Sequence, residues 1–389
     1  MREGWRYEKL DDLGTIVTGA TPSTNDESNY FPKEFCFVKP SDLPINGIGS
    51  LHETENYVSS KGLSVSRPLP AGSVLTTCIG TIGKVGLLLQ EGCTNQQINA
   101  VIPNNKINSR YLAYALLSIR KQLEFIANAP VVPIINKKSF SKIHIGYPPK
   151  STQLSIVSEL DKLNELIRIK KEQLKDYDAL AQSIFYEMFG DPVENEKGWE
   201  MKTLGHICEI TSSKRVFANE YVETGVPFYR SKEVIEKSKQ LPISVELYIS
   251  ESHYNKIKSS FGVPQIGDIL VTAVGTIGKI WVVDTNEPFY FKDGNLVWLR
   301  NIKGAHCEYF RYSLSYLIDE YKKVNANGAA YNALTIAKLK LMLCPLPPLS
   351  LQQSFAQKIE LIEQQKVAIQ KTITDLETLL AARMQYWFE

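Results

Sequence analysis

The sequence predicts an α+β protein, mixed α and β, in which two similar globular domains are joined by two long antiparallel coiled-coil helices as a pseudo-twofold internal repeat. Three observations predict it. The first is the repeat itself: Gly4-Trp5-Arg6-Tyr7-Glu8-Lys9-Leu10 returns as Gly198-Trp199-Glu200-Met201-Lys202-Thr203-Leu204. Gly80-Thr81-Ile82-Gly83-Lys84 then recurs identically as Gly275-Thr276-Ile277-Gly278-Lys279, and Pro148-Pro149 is answered by Pro347-Pro348. Ordered matches at nearly constant offset mark a duplicated unit. The second observation is a heptad pattern after each Pro-Pro pair. The third is a set of β-branched segments and amphipathic helices inside each half.

The heptad pattern steps alternately by four and three residues. It runs Ile156, Leu160, Leu163, Ile167, Lys170, Leu174, Tyr177, Ala181, Ile184, Met188 in the first copy. The second copy gives Phe355, Ile359, Ile362, Lys366, Ile369, Ile373, Leu376, Leu380, Arg383, Trp387. This spacing places one apolar seam along a helix. Ser151 and Ser350 are the expected N-caps, with Gln353 completing a capping box in the second copy. Lys170 and Lys366 break the seam at non-equivalent places. Two readings stand for them: they fix alignment between partner helices, or they carry their charge out to water along an apolar stem. The first helix is expected to stop at Phe189, since Gly190 suits a left-handed C-cap and Pro192 cannot continue the turn. Helices of this kind are about 54 Å long at 1.5 Å per residue. The expected division is a first domain over residues 1–150, a helix over 151–189, a linker over 190–197, a second domain over 198–348 and a second helix over 349–389. The simplest arrangement pairs the helices antiparallel and sets the domains at opposite ends of a rod.

Within the halves, Gly72 to Ile79 and Gly267 to Val274 read as strands entered from a glycine turn. Tyr111 to Glu124 and Tyr309 to Lys322 read as amphipathic helices. Hydrophobic residues make up 43% of the 389 positions and charged residues 22%, which is ordinary for a folded protein and argues against disorder. No apolar run reaches the roughly 18 to 20 residues that a membrane helix needs, and the start lacks a signal-peptide core, so no membrane is expected and the cytoplasm is the expected location. Cys36, Cys78, Cys93, Cys208, Cys307 and Cys344 are scattered without a Cys-x-x-Cys pair, so reduced, separately buried thiols are expected. His206 and Cys208 are too isolated to suggest zinc, and no bound metal is expected. The net charge of +2 is unevenly spread. The two globular stretches carry more Lys and Arg than Asp and Glu, and the two helical stretches carry fewer. A polyanion would therefore be drawn to the globular parts.

Three paired patterns are candidates for binding DNA. The Gly-Thr-Ile-Gly-Lys loops lack the upstream glycine and the following Ser or Thr of a P-loop, because Cys78 and Ala273, then Val85 and Ile280, hold those positions. Nucleotide hydrolysis is disfavoured. The plainer reading is a β-hairpin turn whose glycines supply positive φ, with Lys84 and Lys279 near a DNA backbone. The second pattern is Phe37-Val38-Lys39-Pro40-Ser41-Asp42 against Phe228-Tyr229-Arg230-Ser231-Lys232-Glu233. Lys39, Ser41, Asp42, Arg230, Lys232 and Glu233 are base-reading candidates, a basic residue suiting guanine and an acid suiting cytosine. A surface ion pair accounts for the pattern equally well. The third is Asn95-Gln96-Gln97-Ile98-Asn99 opposite Lys292-Asp293-Gly294-Asn295. Here Gln96, Gln97, Lys292 and Asn295 are the candidates, since amides pair with adenine, although amide-rich loops are common. No catalytic constellation emerges: Asn-Pro-Pro-(Tyr/Phe), Gly-x-Ser-x-Gly and His-Glu-x-x-His are all absent.

Over essentially its whole length the chain resembles the specificity subunit of type I restriction-modification systems. The resemblance is carried by Ile184-Phe185-Tyr186-Glu187-Met188-Phe189-Gly190-Asp191-Pro192 and Leu379-Leu380-Ala381-Ala382-Arg383-Met384-Gln385-Tyr386-Trp387-Phe388, which close the two helices. The Gly-Trp openings and the Gly-Thr-Ile-Gly-Lys loops agree. The resemblance implies two target-recognition domains that each read half of a bipartite, asymmetric site in double-stranded DNA, with helices that set the spacing. It also implies docking of two modification subunits, for which Tyr186, Met188, Phe189, Tyr386 and Trp387 are the contact candidates, and of restriction subunits. S-adenosylmethionine would be used by the modification partner, and ATP and Mg by the restriction partner, with no cofactor bound by this chain and no catalysis of its own. Two other readings stay open: a stand-alone DNA clamp, and a coiled-coil scaffold that never touches nucleic acid.

Overall fold

Short β-branched, apolar runs and turn glycines set up the strands, and the chain closes each globular half before entering a long helix. The computed structural model describes residues 3–127, 132–325 and 333–389. It divides into two compact units, Met1–Lys171 with Lys371–Glu389, and Glu172–Gln370.

In the first unit, strand Arg6–Lys9 pairs antiparallel with His144–Tyr147, so the entry and exit of the domain lie side by side. Between them lies a five-stranded sheet in the order Gly14–Thr18, Ile98–Pro103, Val74–Thr77, Val85–Leu88, Ile48–Leu51. Beside it is a three-stranded sheet, Tyr57–Val58, Phe35–Val38, Gly92–Thr94. Helix Ser109–Ser118 buries Tyr111, Leu112, Ala113, Tyr114, Ala115 and Leu116 in the main core with Val74, Val85 and Val101. The expected single helix from Tyr111 to Glu124 breaks at Ile119 and resumes as Arg120–Ile126.

The second unit repeats this plan. Glu200–Thr203 pairs with Leu343–Leu346, around a four-stranded sheet Glu209–Thr211, Leu296–Arg300, Ile269–Thr272, Ile280–Val282. A second sheet follows the order Tyr221–Val222, Tyr248–Ile249, Val226–Tyr229, Tyr290–Phe291. Where the first domain adds the edge strand Ile48–Leu51, the second packs helix Ser231–Ser238 against its sheet. The expected amphipathic helix spans Cys307–Asn325. Gly72 and Gly267 both lie at φ +87°, in the turn that leads into equivalent strands.

The long helices are Lys150–Phe189 and Leu349–Phe388. The first begins one residue before its expected start and the second at residue 349 as expected, so Ser151 and Ser350 fall inside the first turn and are not N-caps. The polar device there is a glutamine instead. Gln153, fully buried, accepts from the Asn108 N–H at 2.8 Å and donates to the Lys106 and Pro148 carbonyls at 3.0 Å. Gln352, also fully buried, accepts from the His306 N–H at 2.7 Å and donates to Gly304 at 3.2 Å and Pro347 at 2.8 Å. The same three bonds lock helix to domain in both units.

All ten expected seam positions in each helix are buried or half-buried. In the first unit, Ile156 and Leu160 share a core with Leu380, Met384, Trp387 and Phe388. Glu159 accepts from both Arg383 and the Trp387 indole, and Lys171 pairs with Glu377 at 2.7 Å, so the helices run antiparallel there. The Arg383 guanidinium holds the Glu159 carboxyl below its usual range. In the second unit, Ala181, Phe185 and Phe189 pack with Phe355, Ile359 and Ile362, again antiparallel. Lys366 pairs across the helices with Asp178 at 2.8 Å and along its own with Glu363. Burial depresses that ammonium's pKa, but the two carboxylates outweigh it and the net shift is upward. Lys366 thus carries its charge from the seam to a carboxylate at the edge of the partner helix. Gly190 at φ +75° ends the first helix, its N–H donating to the Tyr186 carbonyl.

Cys36, Cys78, Cys93, Cys208 and Cys344 are buried, Cys307 is half-buried, and all six are free. Burial pushes the Cys208 and Cys344 thiols up to about 12, which makes them inert at neutral pH. No helix among the described residues is long and apolar enough to cross a membrane.

Replacing Gln352 by Ala removes three hydrogen bonds and leaves the buried Pro347 carbonyl without its partner, a loss of about 2 kcal/mol. The urea midpoint of the chain, followed by tryptophan fluorescence, should fall accordingly; an unchanged midpoint would show that the clasp contributes nothing.

Candidate nucleic-acid interface

The retained Gly-Thr-Ile-Gly-Lys segment is a hairpin loop with the same internal bonding in both domains. The Thr77 hydroxyl donates to the Thr81 carbonyl and accepts from the Lys84 N–H at 3.0 Å, and the Gly83 N–H donates to the Thr77 carbonyl at 2.9 Å. Thr272 makes the matching bonds with Thr276, Lys279 and Gly278. Gly80, Gly83, Gly275 and Gly278 have φ between +74° and +82°, which favours glycine. At Gly83 and Gly278 a side chain would also strike Arg120 or Ile318. The hairpin reading holds, and the loop is a rigid frame with the exposed tips Gly80-Thr81 and Gly275-Thr276.

Other loops gather at this frame. In the first domain the Cys78 N–H donates to the Gln97 carbonyl, and the Asn95 N–H to Val38. The Lys84 ammonium donates to the Pro40 carbonyl at 2.8 Å. All three sequence patterns therefore meet on one face of the first domain. In the second, the Ala273 N–H donates to the Asn295 carbonyl and the Lys292 N–H to Tyr229, which brings the corresponding segments together.

Several candidate residues have internal duties in the structure. Both Asp42 oxygens are taken by backbone N–H groups, Lys39 at 2.7 Å and Glu55 at 3.1 Å. Glu233 is fully buried; it accepts from the Arg230 backbone N–H at 2.7 Å and from its guanidinium at 3.0 Å. As a base reader Glu233 is therefore a misreading. The repeated spacing of base and acid reflects an acid three residues on capping a backbone N–H, a turn in one domain and a helix start in the other. Lys39 donates to Asn56, and Gln97 accepts from the Asn95 amide. Ser41, Gln96, Lys232, Lys279 and Lys292 are exposed, and Asn295 is half-buried.

Sequence reasoning passed over a second tie between loops. In the first domain the Thr21 hydroxyl donates to the Gln96 side-chain oxygen at 2.7 Å. In the second, Arg215 Nε donates to Asp293 Oδ2 at 2.7 Å. Asp293 lay inside a segment already singled out, but the Lys214-Arg215 pair carries no repeated pattern to flag it.

Arg230 and Lys232 converge on Glu246 at 2.9 and 2.7 Å. Lys232 first, then Arg230, hold its carboxyl down to about 2. Any stability from this pairing is present above the ordinary carboxylate range and fades as pH falls towards 2. Lys232→Ala should move the Glu246 titration, followed by carboxyl NMR shifts, upward towards the ordinary range; no movement would remove Lys232 as its cause.

Of the candidate partner contacts, Phe189 is 1% exposed, with its ring 4.6 Å from Tyr309 and 5.4 Å from Phe355. Its place in the core leaves no face for a partner. Met188 and Trp387 are half-buried, whereas Tyr186 and Tyr386 stand well exposed. Among the described residues no cluster of three His, Cys, Asp or Glu side chains is close enough to hold a metal.

Thr272→Val removes the hydroxyl that ties the second hairpin loop. Amide exchange at Lys279 should accelerate by tenfold or more if the lost bond is worth about 1.5 kcal/mol; unchanged protection would mean the loop is held by other contacts.

The family model for the type I restriction modification DNA specificity domain matches residues 2–176 and again 196–378. The type I restriction enzyme MjaIX specificity subunit of Methanocaldococcus jannaschii is 27% identical over 60% of this chain and 58% of its own length. The HindI specificity subunit of Haemophilus influenzae is 28% identical over 52% of this chain and 40% of its own. The match thus spans about half the length of these relatives. Among solved structures, the S subunit of a type I restriction-modification system from M. genitalium superposes with a TM-score of 0.56 at 15% identity, over 98% of this chain and 95% of that one. A chain from a study of complex assembly and conformational transition of the type I R-M system superposes at 0.62 and 20% identity, over 100% and 98%. These two likenesses establish the fold.

Proposed function

Because the chain belongs to the family of type I restriction-modification DNA specificity domains, we propose that it reads a bipartite, asymmetric site in double-stranded DNA, one half through each globular domain. It carries no chemistry of its own in this reading. The observation that carries the proposal is the hairpin frame: two domains present the same hydrogen-bonded loop, flanked by loops whose side chains differ. Equal frames suit equal docking on the duplex, and unequal side chains suit unequal half-sites. Phosphate contacts position such a domain and base-edge contacts specify it. Exposed Lys279 and Lys292 in the second domain fit the positioning role, and so does the net positive charge of both globular stretches.

The paired helices act as the spacer between half-sites. They also offer the docking surface for two modification subunits, with Tyr186 and Tyr386 as exposed aromatic contacts. Adenine methylation with S-adenosylmethionine belongs to those partners, and ATP- and Mg-dependent cleavage to restriction subunits.

Two tests follow. Exchanging residues 1–150 for those of a relative should alter one half-site in methylome sequencing and leave the other intact; change in both halves would refute modular reading. Adding one heptad to each helix lengthens the spacer by about 10 Å, or about three base pairs at 3.4 Å each. An unchanged gap between half-sites would rule out the helices as the ruler.

A further inference from the structure

The strand registers make the two loop ties equivalent. In the first domain Val17 pairs with Ala100, and Ala100 with Leu75. In the second, Thr211 pairs with Trp298, and Trp298 with Leu270. Leu75 and Leu270 stand at the same distance before the identical hairpin loops, so Val17 answers Thr211. Counting four residues outward, Thr21 answers Arg215. Their partners lie in corresponding loops, Gln96 between Gly92–Thr94 and Ile98–Pro103 and Asp293 between Tyr290–Phe291 and Leu296–Arg300. One fold position therefore holds a hydroxyl–amide pair in one domain and a guanidinium–carboxylate pair in the other.

The second pair has the build of a reader. The Arg215 side chain is 66% exposed and that of Asp293 is 17% exposed, so the acid belongs to the frame and the base projects from it. Asp293 is fixed from both sides: the Lys292 N–H is bonded to Tyr229, and Gly294, at φ +76°, turns the chain towards Asn295, whose carbonyl holds Ala273. The strand leading to Arg215 is tied down by the Lys214 N–H, which donates to the Tyr290 hydroxyl at 2.6 Å. A single Nε contact to the carboxylate leaves the two terminal nitrogens of Arg215 for another acceptor pair. Guanine O6 and N7 in the major groove match that fork.

We infer that this loop tie sets the base preference of each domain, with Arg215, aimed by Asp293, reading a guanine in the second half-site. In the first domain the reader comes from the other side of the tie: it is Gln96, steadied by Thr21, whose amide suits adenine. The inference rests on the proposed reading of DNA and goes further by assigning one position in each half-site.

The test selects bound sequences from a randomised duplex library with the full chain in complex with its modification partners. Arg215→Ala should weaken guanine preference about tenfold or more at one position of one half-site and leave the other half unchanged. Asp293→Asn should weaken preference at that same position, and Gln96→Ala at a single position of the opposite half. Both Arg215 and Gln96 are exposed, so melting temperature should hold. An unaltered motif overturns the assignment while leaving the proposed function standing. Uniformly weaker binding, with a salt slope reduced by about one, marks Arg215 as a phosphate contact and also overturns it. A wild-type complex that selects no motif defeats the proposed function, and the inference with it.

Discussion

A 40-residue helix with one apolar seam cannot bury that seam alone, and the whole construction depends on how the seam is covered. Each unit covers it with the start of one long helix and the end of the other. Phe388, closing the second helix, sits 5.4 Å from Tyr111 in the first domain, and Phe189, closing the first, sits 4.6 Å from Tyr309 in the second. Tyr111 and Tyr309 in turn donate their hydroxyls to the Gly146 and Pro345 carbonyls, on the exit strands of their domains, both at 2.8 Å. Neither domain has a complete core without an aromatic residue from the far end of a helix. The closing motifs of the helices are therefore core elements first, which is why Phe189 has no surface to offer.

The same constraint explains the fully buried glutamines. A helix start packed against a domain brings together backbone groups of two loops, the Pro-Pro turn before it and the loop before the domain's own helix, and the buried proline carbonyls there would be costly to leave unpaired. One amide side chain, with both an acceptor and two donors, satisfies three such groups at once. Serine cannot do so, and Ser151 and Ser350 lie inside the first turn, past the cap position. The Pro-Pro-x-Ser-x-Gln match was visible in the sequence; what it lacked was any sign of which polar residue faced inward.

Legibility in the sequence followed periodicity. The seam, the repeat, the hairpin glycines and the buried cysteines could be read because each rests on local spacing or composition. The break at Ile119 and the exchange of an edge strand for helix Ser231–Ser238 leave no such local pattern, and the further bonds of the Asp42 and Glu233 turns reach residues farther along the chain. Asp42 also ties down Glu55, and the Arg230 that Glu233 holds reaches on to Glu246. The matched spacing of base and acid resembles shared contact chemistry, but its common content is the capping of a backbone N–H. Repetition within a chain identifies what both copies must keep, and both copies must keep their frame.

That distinction bears on where specificity can reside. Residues identical in the two domains, such as Thr77 and Thr272 with their loop bonds, cannot distinguish unlike half-sites. Residues at equivalent, exposed positions that differ can do so, provided that changing them leaves the frame intact. The loop ties satisfy both conditions, because Thr21–Gln96 and Arg215–Asp293 join the same two loops through side chains alone, while the frame is held by backbone bonds and the hairpin threonines. On the proposed reading, a domain built this way can exchange its exposed reading residue, Arg215 or Gln96, at small cost in stability, since exposed substitutions away from caps and cores are usually worth within about 0.5 kcal/mol. In that same proposed reading, separation of frame from tip is what lets one duplicated fold serve two different sequences in a single chain.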